Sequence, residues 1–478
     1  MTLAMLALAF IQQSAPPATA APPPPAVAAR DSGAGRPCQV VIDTVGHSGR
    51  QVEVRRGETN LFAGGGVRAH CQGTNSTLSA DSLAWFAGVG RLDLLGRVEI
   101  RDTALSLDAT SASYFLRQER LEAHKNVVAV SHPNGSVLRG PNLTYYRVVR
   151  GVRDTAEMYA TTRPTIDYRA TPDSGEPYVI VADRVRMKGS DRMWAGGKVT
   201  IDRSDLSAQA DSLTRDETAG LAVLIGKPQV RGQGTRSYRL VGRRIEMAFR
   251  ERAVHLIKAL GAGEATGADW RLTADTIHLM MGNGKLQQVF AWGDSSRPHA
   301  LSSQHTIDAD SLVLDAPDEV LTAARGYRHA RSTSKRDTSA AAEQDWIAGD
   351  TITAHWIQTA AAPGKTKASL DRLVARGSAH AFQHIHNQRD ASVPPSLNYS
   401  RGAVIDIAMK GDRIDRVMVT GQADGMQLEP LRPPPPRDST TRDTTKSDTT
   451  KRGRARGTAK RATAPRDSTR GGKPRGSR

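Results

Sequence analysis

One aspartate recurs along the chain in nearly the same sequence context. Residues 78–85 read LSADSLAW. The same pattern, Ala-Asp, then one other residue, then an aliphatic residue, recurs within 182–187, 210–215, 274–279 and 309–314. A row of carboxylates is a candidate Ca²⁺ site, but Ca²⁺ takes about six to eight oxygen ligands and each repeat supplies one carboxylate, a strand's width from the next. We therefore interpret Ala-Asp-Ser-Leu as a corner of the backbone, where Asp and Ser bond nearby main-chain groups.

Three histidines near the C-terminal end are the strongest metal candidate in the sequence. They are His380, His384 and His386, and the last two would share one face of a strand. Zinc sites use three or four ligands with a supporting shell, and no fourth ligand is evident, so we expect no metal site. The chain also contains no P-loop, no Gly-x-Ser-x-Gly and no Cys-x-x-Cys. We predict a protein that is not an enzyme and has no cofactor.

The chain has two cysteines, Cys38 and Cys71, both close to the start of the repeated region. In an oxidising compartment they would be able to pair as a disulfide, whereas nothing at a suitable spacing would complete a metal site. Two unrelated thiols are the alternative.

The repeated unit has the pattern of two short strands. Between Leu61 and Leu428 we count about ten units of roughly 28 to 35 residues. Apolar residues two positions apart, such as Val98 and Ile100, share one face of a strand, and charged residues occupy the other face. Gly and Asp-Ser steps supply the turns between strands. We predict an all-β, elongated antiparallel stack in which ten layers span roughly 50 Å, with insertions at Ser332–Glu343 and Ala360–Lys367 as outside loops.

The two ends of the chain differ in composition from the repeated body. Residues 1–20 resemble a secretory signal peptide, with an apolar run and Ala18-Thr19-Ala20 as the cleavage site, and 21–37 form a Pro/Ala-rich linker. We assign 38–431 to the repeat region. Residues 432–478 carry fifteen Lys and Arg against four Asp, a net +11 of the chain's +17, and have too few apolar side chains to bury a core. We expect a disordered basic tail, with no specific binding of nucleic acid.

The order of the strand motifs resembles that of a known family. Between Leu61 and Tyr146 the segments LSADSLAW, GRLDLLGRVEI, RLEAHKNVVAV and GSVLRGPNLTYY follow one another in the order typical of the organic-solvent-tolerance (OstA-like) family. That family includes the periplasmic bridge protein of lipopolysaccharide transport and the N-terminal domain of its outer-membrane partner. Residues 204–230 and 272–293 match less fully. The family's bridge protein is much shorter than this body, so we expect a longer bridge or a diverged periplasmic component.

The resemblance implies a β-jellyroll or β-taco, two sheets folded into a V with an apolar groove for acyl chains. It therefore implies a periplasmic carrier, associated with the outer membrane, whose partners are lipopolysaccharide or a related acylated glycolipid, other envelope lipid-transport components and further copies joined end to end. The inward residues expected to line the groove are Leu83, Val98, Ile100, Leu105, Leu107, Val128, Val130, Val199 and Ile201.

Two other readings of the repeats stay open. A β-solenoid enzyme acting on carbohydrate would need carboxylates clustered on one outer face, and the Asp residues fall at corners instead. A structural spacer or adhesin of the cell envelope would use the stack for its length alone. An open apolar groove would favour the carrier, and a closed, fully packed core would favour the spacer or the enzyme.

Overall fold

The chain folds almost entirely into β-strands. The computed structural model describes residues 38–234, 237–335, 344–362, 365–385, 394–410 and 413–430. The predicted signal peptide, linker and basic tail lie outside these residues. Within them there are thirty strands and two short 3₁₀ helices, at Leu116–Gln118 and Pro317–Glu319. The predicted all-β class is confirmed.

The strands are, in chain order, β1 (Val40–Val45), β2 (Ser48–Arg55), β3 (Glu58–Cys71), β4 (Thr77–Phe86), β5 (Arg91–Arg101), β6 (Leu105–Phe115), β7 (Arg120–Ser131), β8 (Val137–Tyr146), β9 (Glu157–Thr161), β10 (Thr165–Tyr168), β11 (Tyr178–Val181), β12 (Arg184–Lys188), β13 (Arg192–Asp202), β14 (Leu206–Asp216) and β15 (Leu221–Ile225). They continue with β16 (Gln229–Gly232), β17 (Arg239–Val241), β18 (Arg244–Arg250), β19 (Ala253–Thr266), β20 (Trp270–Gly282), β21 (Lys285–Trp292), β22 (His299–Ser302), β23 (His305–Asp308), β24 (Ser311–Asp315), β25 (Ala323–Ser334), β26 (Trp346–Ala362), β27 (Lys365–Ile385), β28 (Ser396–Lys410), β29 (Arg413–Thr420) and β30 (Asp424–Leu428).

The described strands form an antiparallel meander in which nearly every strand bends at its middle. β4 pairs with β5 over its whole length, for example, but the register shifts between Ser79 and Ser82. Eight neighbouring pairs, such as β1 with β2 and β29 with β30, are two halves of one bent strand, so the thirty strands make twenty-two bent ones. At about 4.8 Å a step, the stack is about 100 Å long. The predicted 50 Å was too short because each unit contributes two strands to the stack.

The bends divide the meander into two half-sheets, which face each other across the core. The first half-sheet contains the early part of β4, up to Ala80, and the second contains the later part, from Leu83. Ten bends carry two consecutive residues with positive φ, among them Gly96-Arg97, Lys125-Asn126 and Gly197-Lys198. Such residues turn the strand while keeping alternate side chains on the inner face. We call the line of bends the ridge and the opposite line, where the loops of the two half-sheets meet, the mouth.

The repeated aspartates lie at the ridge. A Cβ atom added at Gly96 would lie 2.3 Å from Asp81 Oδ2, and one at Gly197 would lie 2.4 Å from Asp183 Oδ2. The Asp183 backbone N–H also donates to the Gly197 carbonyl at 2.9 Å. The Ala-Asp step of one strand therefore fits against the glycine of the next strand, as expected for a corner of the backbone.

Inward side chains from both half-sheets form one continuous core along the described stack. In β5, Leu92 and Leu94 before the bend and Val98 and Ile100 after it are all buried. The same alternation recurs in β13 and β14. Burial of one face and solvation of the other is the reason that each segment forms a strand rather than a helix.

The predicted outside loops are only partly as expected. Residues 332–334 belong to β25, and 360–362 and 365–367 extend β26 and β27. The remaining residues of both segments, 336–343 and 363–364, lie outside the described residues. The second prediction was wrong for its described part, because the segment continues the pairing of two neighbouring strands instead of leaving the sheet.

Candidate functional site

Seven of the nine predicted groove residues face the interior and are buried. They come from β4, β5, β6 and β13, and their exposed fractions are 9% or less: Leu83, Val98, Ile100, Leu105, Leu107, Val199 and Ile201. The strand alternation thus brings them to one surface, between the two half-sheets.

Val128 and Val130 lie on the opposite face of β7. Their neighbours Val127 and Ala129 are the buried residues, each 1% exposed, whereas Val128 and Val130 are half-buried on the outer surface. The bend in this strand is formed by Lys125 and Asn126, with φ of 60° and 52°. Equating Asn126 with Gly96 shifted the register by one residue, and such a shift moves every side chain to the other face. The assignment of these two residues to the groove was wrong.

The middle of the interior is closed. Twelve large side chains between Leu92 and Ile277 are less than 2% exposed: Leu92, Leu94, Leu107, Leu143, Ile166, Met193, Leu224, Leu240, Ile245, Ile257, Leu272 and Ile277. Interiors packed in this way have no space for an additional hydrocarbon chain. An acyl chain would enter this part of the stack only if the half-sheets moved apart.

A line of polar and aromatic contacts joins the half-sheets at the mouth. The Tyr168 hydroxyl, on the first half-sheet, donates to Glu217 Oε2 on the second at 2.8 Å. Further along, the Tyr178 ring meets the Phe249 ring edge-on, with centroids 6.1 Å apart, and the Arg215 guanidinium lies 4.1 Å from the Phe249 centroid. We call this line of contacts the seam. It shields the apolar interior from water along the middle of the stack.

The N-terminal end of the seam is a buried ionic cluster. Arg147 contacts Asp102 at 3.2 Å and Glu119 at 3.4 Å, and the Tyr114 hydroxyl donates to the Glu119 carboxylate. Burial lowers the pKa of the Arg147 guanidinium, but its bonds with Tyr114 and the two carboxylates outweigh burial and raise it. Burial and the neighbouring Glu119 raise the pKa of Tyr114. Paired charges of this kind hold the two half-sheets together without exposing the core.

The two cysteines lie beside this cluster and are joined by a disulfide. Their Cα atoms are 5.1 Å apart, and the link connects the residues before β1 with the end of β3. The Cys38 backbone N–H donates to Glu119 Oε1 at 2.7 Å. The disulfide therefore anchors the first edge of the stack to the ionic cluster.

A cavity of about 270 Å³ lies between the half-sheets near the C-terminal end. Its apolar wall contains Leu373, Ile407, Met409 and Ile414 of the second half-sheet. Facing this wall across the cavity are short polar side chains of β25, Ser332 and Ser334. The corresponding inward positions of earlier layers carry apolar residues such as Val98 and Ile100 in β5.

The polar wall of the cavity belongs to the first half-sheet. It contains Ser332 and Gln383, which are 1% and 8% exposed, and Lys335 and Asp345 lie at its edge. Asp345 Oδ1 accepts hydrogen bonds from the His384 backbone N–H at 2.8 Å and from His384 Nδ1 at 2.6 Å. This wall was not predicted from the sequence, although a signal was present: Ala330, Ser332 and Ser334 alternate where other units have aliphatic residues.

The described histidines of the motif make contacts within the sheet and at its edge. The His380 ring packs edge-on against Trp346, with centroids 5.3 Å apart, while His384 pairs with Asp345. His386 lies outside the described residues. Among the residues that are described, no three His, Cys, Asp or Glu side chains come together as a metal site.

Both ends of the stack present strand edges with apolar side chains. At the first end, Val54 is 57% exposed on β2, and at the last end Met426 and Leu428 of β30 are 62% and 55% exposed. Unpaired edges of this kind are templates for the addition of another strand. No helix in the described part of the chain is both long enough and apolar enough to span a membrane.

Comparison with known proteins finds similarity to solved structures. No protein-family model matches the chain, and no curated protein matches its sequence. Among solved structures, it is similar to LptH from Pseudomonas aeruginosa, described as the LptA homologous periplasmic component of the conserved lipopolysaccharide transport device. The identity is 19% and the TM-score 0.22, and the alignment covers 30% of this chain and 97% of that one.

Proposed function

We propose that the protein is a non-enzymatic lipid carrier of the cell envelope, which shields acyl chains in the space between its half-sheets. The observation that carries this proposal is the 270 Å³ cavity, which opens an otherwise apolar and continuous interior near one end of the stack. The cargo that we propose is lipopolysaccharide or a related acylated glycolipid, carried through the periplasm toward the outer membrane, in line with the sequence resemblance.

Burial of acyl chains would supply the driving force for binding. Each CH₂ group removed from water contributes about 0.8 kcal/mol, so a chain of a dozen carbons gains roughly 10 kcal/mol. A lipid cannot cross an aqueous compartment without such shielding, and inward-facing aliphatic side chains provide it. We propose that chains enter at the C-terminal cavity, where the wall is already apolar and space is present.

Passage beyond the cavity would require the mouth to open. The half-sheets are continuous at the ridge but are held at the mouth by separate contacts, such as Tyr168 with Glu217 and Tyr178 with Phe249. Opening at the mouth would exchange side-chain contacts between half-sheets for contacts with the acyl chain and would leave the strand pairing intact. Transport along the stack would therefore break contacts of the seam and leave the hydrogen bonds between neighbouring strands in place.

The exposed strand edges suit partners that extend the sheet. We propose that other envelope lipid-transport components, or further copies of this chain, add strands to β1 and β2 at one end and to β29 and β30 at the other. The exposed apolar side chains on these strands, Met426 and Leu428 among them, would be covered in such a junction.

A second candidate function is a structural spacer of the envelope. The closed middle of the stack favours it, since the twelve large side chains between Leu92 and Ile277 pack without space for a ligand. A spacer would need only the length of about 100 Å that twenty-two strands provide. It would have no use for a cavity with an apolar wall.

A transfer assay separates the two functions. Vesicles containing a fluorescent acylated glycolipid donate it to unlabelled vesicles, and the protein is expected to accelerate that transfer. Leu373→Trp, which fills the cavity, should remove most of the acceleration, while Arg372→Trp, on the outer face of the same strand, should leave it unchanged. A spacer predicts no acceleration by any of the three proteins.

A further inference from the structure

Ser332 is a buried polar residue in an apolar row. Its backbone pairs with Ile307 on one side and Ile347 on the other, and Ile347 pairs in turn with Ala381. The side chain is 1% exposed, and within the described part of the chain its Oγ has no hydrogen-bond partner. A buried hydroxyl without a partner costs free energy, so this position is unfavourable unless something else supplies the bond.

The cavity provides the place for that partner. Ser332 lines it, and Gln383, which is also inward-facing and buried, lies on the same polar wall. A hydroxyl and an amide both donate and accept hydrogen bonds, and neither carries charge. The opposite wall is formed by Leu373, Ile407 and Met409. One side of the cavity therefore suits a hydrocarbon chain and the other suits a neutral polar group.

The charged residues at the edge of the cavity already have partners. Lys335 Nζ donates to the Ser302 carbonyl at 2.8 Å, and Asp345 accepts from His384. The polar side chains that are buried in the wall, Ser332 and Gln383, are neutral, and a charged ligand group placed beside them would be desolvated without an opposite charge in contact with it. We therefore expect any charged group of the ligand to lie outside the cavity.

We propose that the cavity is a specific site for one hydrocarbon chain that carries a neutral hydrogen-bonding group, an ester or amide carbonyl or a hydroxyl. This group bonds Ser332 and Gln383, and the chain lies against Leu373, Ile407 and Met409. The inference rests on the proposed carriage of lipid and adds the chemistry that one site recognises. A volume of about 270 Å³ is slightly below the usual range of ligand pockets, about 300 to 1,000 Å³, and fits a segment of one chain rather than a whole lipid.

Three soluble probes with ten-carbon chains test this chemistry by titration calorimetry below their micellar concentrations. N-decanoyl-N-methylglucamine presents an amide on a sugar head and decanoyl lysophosphatidylcholine presents an ester on a phospholipid head. Decyl maltoside joins its chain to the sugar through a glycosidic oxygen, called the ether probe below, and has no carbonyl. Whichever of the first two binds more tightly identifies glycolipid or phospholipid as the better source of the acyl group. The site is supported if the amide probe and the ester probe both bind more tightly than the ether probe.

Substitutions of Ser332 give the decisive comparison. Ser332→Ala should weaken binding of the amide and ester probes about three- to ten-fold and that of the ether less than two-fold, as expected for the loss of one hydrogen bond. Ser332→Leu should abolish binding of all three by filling the cavity. Thr333→Leu, the adjacent residue on the outer face, is the matched control and should change nothing, and thermal melting verifies that each variant folds.

The outcomes distinguish this inference from the proposed function. Equal weakening of the carbonyl and ether probes by Ser332→Ala, or binding that survives Ser332→Leu, overturns the site while lipid carriage stands. Failure of the unmodified protein to bind any of the probes and to transfer lipid between vesicles overturns both.

Discussion

Arg147 and the tyrosines around it show how individual residues close the stack. The guanidinium lies among Asp102, Glu119 and Tyr114 at the mouth, where the two half-sheets would otherwise expose their core. The sequence contains no sign of this cluster, because its members are up to 45 positions apart and are brought together only by the pairing of β5 to β8. Residues at such junctions are the hardest to predict from a repeat.

Buried tyrosines at the mouth predict a fold that is sensitive to alkali. Burial raises the pKa of Tyr145 and of Tyr178 to about 12 from the ordinary 10.0, and burial likewise raises those of Tyr168 and Tyr238. Because the pKa is raised in the folded state, the contribution of these neutral tyrosines to the free energy of unfolding is fully present below pH 10. It is lost as the pH rises toward 12. Two units for one tyrosine correspond to about 3 kcal/mol.

We expect the urea midpoint to fall steeply between pH 10 and about 12, and tyrosinate absorbance at 295 nm to appear together with unfolding. Tyr145→Phe, which removes one ionisable group and keeps the ring, should make the fall with pH less steep. A midpoint that stays constant up to pH 11.5 would contradict this account of the mouth.

At the scale of the element, the bent strand is the unit from which the fold is built. Ordinary alternation of apolar residues predicted the inner face in β4, β5, β6 and β13, since these strands bend at Gly or next to the Asp step. In β7 the bend is made by Lys125 and Asn126, which do not resemble Gly96 and Arg97 in sequence. The register after a bend could therefore be predicted where a glycine or the Ala-Asp step marks the bend, and not at Lys125 and Asn126.

Glycines that have a positive φ and face an aspartate at the ridge should be more sensitive to substitution than glycines without these two features. Gly197 has φ of 80°, and a Cβ there would meet Asp183, so we expect Gly197→Ala to lower the free energy of unfolding by roughly 1–3 kcal/mol. Gly64, which directly precedes the bend at Gly65 and Gly66, does not have a positive φ and has nothing within 4 Å of an added Cβ. Gly64→Ala should therefore change the stability by less than about 0.5 kcal/mol, measured by urea denaturation. Equal effects of the two substitutions would mean that the bends are not set by these residues.

At the scale of the whole molecule, the recurrence of the motif made the stack predictable from the sequence. The local differences between its layers could not be predicted. A motif repeated about ten times is enough to predict all-β layers and a common inner face, because every layer must bury the same side. The cavity lies where this regularity fails, at the polar inward residues Ser332 and Gln383. Its size depends on the facing half-sheet, including Leu373 and Ile407, which are distant in sequence from Ser332. The closed middle and the open C-terminal end could therefore be identified only from the structure.

The central claim is that acyl chains occupy the space between the half-sheets. The most direct measurement places a photoactivatable amino acid at Ile347, which is 2% exposed and lines the cavity, and at the adjacent outward-facing Ala348 as the control. The same pair of positions in the closed middle is Leu272, which is buried, and Arg271, which is exposed. After irradiation with envelope lipids, mass spectrometry identifies the attached species. We predict an acylated glycolipid on Ile347 and none on Ala348 or Arg271, with Leu272 labelled only if the mouth opens during transport. Absence of lipid from Ile347 and Leu272 alike would contradict the carrier and leave the protein as a spacer of the envelope.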